Sequence, residues 1–351
     1  MSAYISTYSL STVLQQAILK AQSNLATAQQ EVATGTYADI GLQLGATTRQ
    51  DISLRADSSL MQTISATNNV ASTRLSTTQA VLSTLQTTAQ DFLNSLISTT
   101  GSTTGTVPAL GLQKTAQSGL QSLISGLNTS LDGQYIFGGI NTGTAPITDY
   151  YASPSSPNQA AVDTTFFTAF GFSQTSPSVS SITGAQMQSF LNSQFSTLFQ
   201  GSNWTSDWSA ASNTTITSQI SESHSASTSI SANQSAFQDL AQAYTMVADL
   251  GTQNLSADAL NAVTATATSL MQKAITGLTS MQVDLGLVQS SISTANNQMS
   301  VQVNILTTQI NNLESVDPYQ AATQVTDLQT QIETAYSLTA QLQKLSLVNY
   351  I

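Results

Sequence analysis

Catalysis needs nucleophiles, bases, acids or metal ligands held close together, and this chain offers few of them. His224 is its only histidine and it has no cysteine, so zinc sites with the usual Cys/His spacing are excluded by count. Its acidic residues do not gather as a calcium loop requires. Glu314 and Asp317 stand three residues apart and could work as an acid and a base. They are isolated, however, and Pro318 follows, so the spacing predicts carboxylates that cap a helix break. Gly138-Gly139 lacks the following Lys-Ser/Thr of a phosphate-cradling loop and reads as a turn. Trp204 and Trp208 could form a glycan platform, but filling a small core is the commoner use of buried aromatics. No set of nucleophile, base and acid can be assembled. The expectation is a protein without catalytic, cofactor or metal residues, and not an enzyme.

What the sequence has in quantity is helical period. Leu14, Ile18, Ala21, Leu25, Ala28 and Val32 recur at steps of 4, 3, 4, 3 and 4. Near the other end Ala321, Val325, Leu328, Ile332, Ala335, Thr339 and Leu342 do the same. A 3.5-residue apolar period marks a helix that seeks partner helices along its length. Neither end can bury its seam alone, so Leu14, Ile18, Leu25, Val32, Val325, Leu328, Ile332 and Leu342 are the candidate interface residues, meeting each other or further copies of the chain. This points to assembly rather than chemistry.

The first helix is predicted to stop at Gly35, and the period breaks over Tyr37 to Gly45. From about Thr47 it resumes through Leu54, Met61, Ile64, Asn68, Ala71, Leu75, Thr78, Leu82, Leu85, Ala89, Phe92 and Leu96, which predicts one very long helix. Asn68 and Thr78 on this seam either fix register, as buried polar residues do in coiled coils, or face solvent after a small drift. The Gly/Thr-rich stretch Thr99 to Pro108 ends the helix, and a third is predicted over about Leu110 to Leu131. Helix returns over Ala232 to Leu250. After a cap at Ser256 it continues to Leu313 without a proline. The step of 4 from Met299 to Val303 is a stutter in that last seam.

Between these helices the composition changes. Nine of the ten Phe, both Trp and four of the six Pro lie between Gly133 and Phe237. Short apolar runs such as Tyr135-Ile136-Phe137 and Phe166-Phe167 between turn-forming clusters predict strands, with one helix over about Gly184 to Phe199 and a closing hairpin from Thr214 to Ser231. The fold class expected is mainly α. Long antiparallel helices from both termini form a bundle or coiled coil, and one α+β or mostly β domain is inserted in the middle. Its divisions would be 1–36 with 318–351, 37–132 with 232–317, and the insert 133–231.

Charge narrows the partners. Only 7% of residues are charged, against roughly 25% in an average domain, and such a surface can be buried between subunits at little desolvation cost. The net charge of −11 would repel nucleic acid and anionic membrane. From Thr115 to Gln272 there is no Lys or Arg but eight acidic residues, which predicts a solvated, outward-facing region. No run approaches the roughly 18 apolar residues of a membrane span. Met1 to Leu10 lacks the features of a cleaved signal, so the chain is expected to be cytoplasmic or exported without one.

Three segments resemble the bacterial flagellin superfamily. They are Glu31-Val32-Ala33-Thr34-Gly35, Leu131-Asp132-Gly133-Gln134-Tyr135-Ile136-Phe137-Gly138-Gly139, and Leu313-Glu314-Ser315-Val316-Asp317-Pro318-Tyr319-Gln320-Ala321. The middle segment is the most specific and resembles the branch that joins hook to filament. Asp39-Ile40-Gly41-Leu42-Gln43-Leu44-Gly45 is similar to alphaproteobacterial, especially rhizobial, members of that branch, and replaces the acidic loop of other members. Leu345-Ser346-Leu347-Val348 is similar to the flagellin ending. The resemblance implies an extracellular structural subunit of the flagellum, exported unfolded by the flagellar type III system. Its terminal arms would form an inner tube and its insert would face outward. Its implied partners are copies of itself in a ring, a neighbouring hook-associated protein, flagellin, and an export chaperone on the C-terminal arm. The alternatives are a filament flagellin and a secreted coiled-coil adhesin or translocator. With one narrow seam each, the terminal arms are expected to be disordered or weakly helical in the monomer and to order on assembly.

Overall fold

The structure, a computed structural model, describes residues 7–100 and 106–348, with side chains described for 9–98 and 109–342. The segment 101–105 of the Gly/Thr-rich stretch lies outside the described residues. In chain order the helices are α1 (Thr7–Thr34), α2 (Ile40–Leu44), α3 (Thr48–Thr100), α4 (Thr106–Leu127), α5 (Pro157–Phe170), α6 (Gly184–Phe190), the single turn α7 (Gly201–Asn203), α8 (Ser235–Asp249), α9 (Ala257–Glu314) and α10 (Pro318–Val348). Two short hairpins join them: β1 (Ser130–Leu131) with β2 (Gln134–Tyr135), and β3 (Thr217–Ser221) with β4 (His224–Ser227). The long helices follow the apolar seams, and α3 and α9 run for 53 and 58 residues. Two compact units form, residues 1–62 with 299–351 and residues 63–298. The second unit ends at Gln298, one residue before the Met299 to Val303 stutter.

In the first unit α1 lies along α10. Gln22 Nε2 donates to Tyr336 Oη at 2.9 Å, while Val316 N donates to Gly35 O at 3.0 Å and Thr36 bridges Ser315. Partner numbers run in opposite directions, so the two arms are antiparallel. Gly35 ends α1 at φ +71°, a conformation that favours glycine. The short α2, capped by Asp39 through its bond from Leu42 N, stands in the stretch expected to be irregular. Five residues are too few to show a period.

In the second unit α3 and α9 are likewise antiparallel and linked by neutral groups. Gln86 Nε2 meets Thr279 Oγ1, Gln79 Nε2 meets Gln282 O, and Gln289 Nε2 meets Ser76 Oγ. Asn68 and Thr78 are fully buried on this seam, which decides between the two readings left open by the sequence. Asn68 Nδ2 reaches Asn296 Oδ1 and the carbonyl of Ile220, both at 2.8 Å. The β3–β4 ladder shifts register between Gln219 and Ser221. A bulge there frees a carbonyl from the ladder.

The core continues from this seam into the middle of the chain. α8 is buried over almost its whole length, as a helix enclosed on all sides must be, and it packs on α4. The middle region carries more helix than its aromatic runs suggested. Phe166-Phe167 is not a strand but part of α5, started by Pro157 and stopped by Gly171 at φ +81°. Val162, Phe166 and Phe170 recur every four residues, a helical spacing, and Phe166 is buried while Phe167 is exposed. α4 also stops short of Leu131, which belongs to β1. Asn128 follows the helix, and its side chain pairs with both backbone groups of Ile147 like a strand neighbour.

The approach of α4 to α8 depends on Gly119. A Cβ there would stand 2.3 Å from Tyr244 Cε1, and that ring is held against Phe92 at 5.1 Å. Gly119→Ala is expected to lose about 1–2 kcal/mol net, because overpacking outweighs the better helix propensity of alanine. Denaturant unfolding checks this, and an unchanged midpoint would show that the ring steps aside freely.

Candidate assembly surfaces

Local sequence places the arm residues. On α1, Ile18 and Ala28 are buried and Leu14, Ala21 and Leu25 half-buried. On α10, Ala321 and Leu328 are buried and Val325, Ile332, Ala335, Thr339 and Leu342 half-buried. These expected interface positions are thus covered at least in part within the chain, with one exception. Val32 is 46% exposed, and the last step of the covered seam falls on Glu31 instead. A straight helix drifts about 20° per heptad from a 3.5-residue repeat, enough to move the end of a seam by one position. Glu31 Oε1 accepts from Ala38 N at 3.1 Å and so closes the turn after α1.

Each arm is covered on one side only. Val13 and Leu19 on α1 and Tyr336 and Leu338 on α10 are exposed, which leaves apolar surface on the pair. At the foot of the arms Tyr37 N donates to Glu314 O at 3.0 Å. Here the expected capping role splits. Asp317 caps α10, its Oδ1 accepting from Tyr319 N at 2.8 Å. Glu314 does not cap. Its carboxylate is buried and accepts from Arg55, with Nε at 2.8 Å. Their separation of 259 residues gave the sequence no local signal for this pair.

The segment leading into the insert is a hairpin whose turn is built by residue type. Asp132 and Gly133 both have positive φ, 51° and 77°, as a type I′ turn requires. Ser130 then pairs with Tyr135 and Leu131 with Gln134. Gly138-Gly139 is a backbone junction: Gly138 O accepts from Ser212 N at 3.0 Å and Gly138 bridges Ser231. A Cβ at Gly138 would lie 2.4 Å from Asn141 O, and one at Gly139 2.5 Å from Ser212 O. Beyond it the aromatics stack: Trp204 lies 5.6 Å from Trp208 at 8°, and Trp208 5.5 Å from Tyr150. Both indoles are buried, and Trp204 Nε1 donates to Asn233 Oδ1 at 2.9 Å. These are core residues. His224 is exposed at the β3–β4 turn, with Nδ1 2.9 Å from Ser223 Oγ.

Two acidic residues depart from the outward-facing expectation. Asp239, on the enclosed helix α8, is buried and paired with Lys273, Nζ to Oδ2 at 3.1 Å, and burial raises its carboxyl above the ordinary value. Asp249 accepts from Tyr150 Oη. Burial pushes Asp249 up to about 6, the Tyr150 hydrogen bond opposing and the Asp163 charge reinforcing the rise. Among the described residues no three His, Asp or Glu gather as a metal site, and no helix is long and apolar enough to cross a membrane.

Known proteins match at the helical ends. Residues 5–142 match the family model of the bacterial flagellin N-terminal helical region, and residues 268–351 that of the bacterial flagellin C-terminal helical region. The chain belongs to the flagellin superfamily. Its two arms and long helices are the parts that the family defines, and the unmatched middle carries α5 to α8. A solved structure described as a flagellar hook-associated protein from Vibrio parahaemolyticus is similar in fold, with a TM-score of 0.53 over 76% of this chain and 97% of that one, at 8% identity. No curated protein sequence matches. Flagellin-superfamily membership makes the protein a structural, self-assembling subunit of the bacterial flagellum.

Two predictions follow from these surfaces. Amides of Leu14 to Val32 in the monomer are expected to exchange close to the unprotected rate, because half-covered arms open locally at little cost, while α8 amides exchange slowly. Strong protection across α1 would refute this. For Asp249, a raised native value means that the folded state holds its proton more tightly. The stability it contributes is complete below about pH 4 and lost as pH rises through about 6. Asp249→Asn keeps an acceptor for Tyr150 and is expected to flatten that fall, as read from urea unfolding across pH. Parallel curves for both proteins would refute it.

Proposed function

We propose that this subunit forms the junction ring between flagellar hook and filament. The observation that carries the reading is the Leu131–Gly139 segment, with its Asp-Gly type I′ turn and the Gly138-Gly139 crossing that no side chain could occupy. Filament flagellin shares the helical arms but is less similar in this segment, as the resemblance of these residues implies. A coiled-coil adhesin or translocator would share the heptads alone. The ending Leu345-Ser346-Leu347-Val348 favours filament flagellin as the second reading.

In this proposal residues 1–36 and 318–351 line the inner tube, with Leu14, Ile18, Leu25, Val32, Val325, Leu328, Ile332 and Leu342 at its interfaces. Residues 37–132 and 232–317 make the next layer, and 133–231 face outward. Low charge suits the tube wall, since few ions must leave water. The ring sits on a neighbouring hook-associated protein and accepts the first flagellin subunits. The chain is exported unfolded through the flagellar type III channel without a cleaved signal, with a chaperone on the C-terminal arm until then, and it works outside the cell.

Deleting the gene is expected to leave hooks without filaments by electron microscopy, with flagellin monomers in the medium. Normal filaments in the deletion strain would overturn the junction reading. Loss of filaments without secreted flagellin would support the filament subunit instead.

A further inference from the structure

We propose that Asp51, set against Glu314, is a proton-binding site that clamps the foot of the two terminal arms while its carboxyl holds a proton. Both carboxyls are covered from solvent, each residue 4% exposed. Asp51 stands in the first turn of α3 and Glu314 at the last residue of α9. Among the described residues the one cation on them is Arg55, whose side chain is half exposed. Its Nε donates to Glu314 Oε1 at 2.8 Å and, more weakly, to Asp51 Oδ2 at 3.3 Å, while its Nη2 also meets Glu314. Asp51 Oδ1 has no hydrogen-bond partner.

Two buried carboxylates against one guanidinium leave a full negative charge uncompensated. Such a charge is costly on carboxylates covered from water, and one response is to take up a proton. With a proton on Asp51 the charges balance: the carboxyl can donate to Glu314, and Arg55 keeps its pair with the remaining carboxylate. Among the described residues no other ionisable group takes this part. Glu31 is held by the amide of Ala38, Asp39 by that of Leu42 and Asp317 by that of Tyr319. Tyr37 meets Glu314 through its backbone N–H, and Arg49 and Asp57 on α3 face solvent. Burial first, then the nearby Glu314, lifts the Asp51 carboxyl above its ordinary range, with Arg55 opposing.

The position gives the proton its effect. Glu314 O accepts from Tyr37 N, and the next residues, Ser315 and Val316, pair with Thr36 and Gly35. Loss of the proton places two like charges together beneath these bonds. Because the native value is raised, the clamp is complete below about pH 4 and weakens as pH rises through that raised value. Acid tightens the foot of the arms and alkali loosens it.

Amide exchange of the full-length protein at acid and alkaline pH, corrected for the intrinsic rate, tests this at Tyr37 and Val316. Their opening is expected to increase by about tenfold across the titration in the wild type. In Asp51→Asn, which is permanently neutral, it should stay at the acid level. Glu314→Gln, which removes the stronger partner of Arg55, should loosen both amides at every pH. A wild type without pH dependence, or an unchanged dependence in Asp51→Asn, overturns the proposal. Carboxyl-carbon NMR of the wild type gives a readout that does not depend on a variant folding, and an ordinary aspartate titration for Asp51 would overturn it equally.

Discussion

An apolar stripe on a long helix has to be covered, and in this chain it is covered with almost no help from charge. Isolated helices of these lengths gain too little from their own hydrogen bonds to persist in water, so tertiary cover decides which of them are stable. Where α3 meets α9, apolar side chains close the seam while glutamine, asparagine, serine and threonine tie its edges. Neutral pairs lose little on leaving water, whereas buried ions are costly unless fully matched. The second unit meets the requirement within the chain, with α8 enclosed on all sides. The first unit meets it only on the inner faces of α1 and α10.

Period and punctuation made the long helices legible. Steps of 3 and 4 from Met61 to Leu96 continue without a fault, and the helix they predicted is there. Gly35, Ser256 and Pro318 act as stops and starts because backbone chemistry leaves them few other uses: Gly35 takes a left-handed conformation, Ser256 accepts from Ala259 N, and Pro318 opens α10. The short helices were less legible. Phe166-Phe167 looks like a buried strand pair until the four-residue spacing to Val162 and Phe170 is counted, and α2 is shorter than two turns.

Polar residues were harder to place than apolar ones, for a physical reason. An apolar residue on a seam needs only cover, which a period can announce. A polar one needs a particular partner, and that partner can be anywhere in the chain. Asn68 could not be settled from its own helix, because its decisive acceptor is the carbonyl of Ile220, 152 residues away. Glu314 reads as a cap in the sequence for the same reason, its partner Arg55 lying 259 residues away. In the middle region, by contrast, Asp132-Gly133 carried its geometry in its own two residues.

The pairing of α1 with α10 has a consequence for the order of folding. Gln22 and Tyr336 are separated by 314 residues, and closing a loop of that length from a disordered chain costs about 5 kcal/mol from the length dependence alone. Contacts at such separation form late, after local structure has shortened the effective loop. A chain made from its N-terminus must also wait for its last helix before α1 has anything to lie against. For most of the protein's synthesis the first arm is therefore an apolar stripe without a partner.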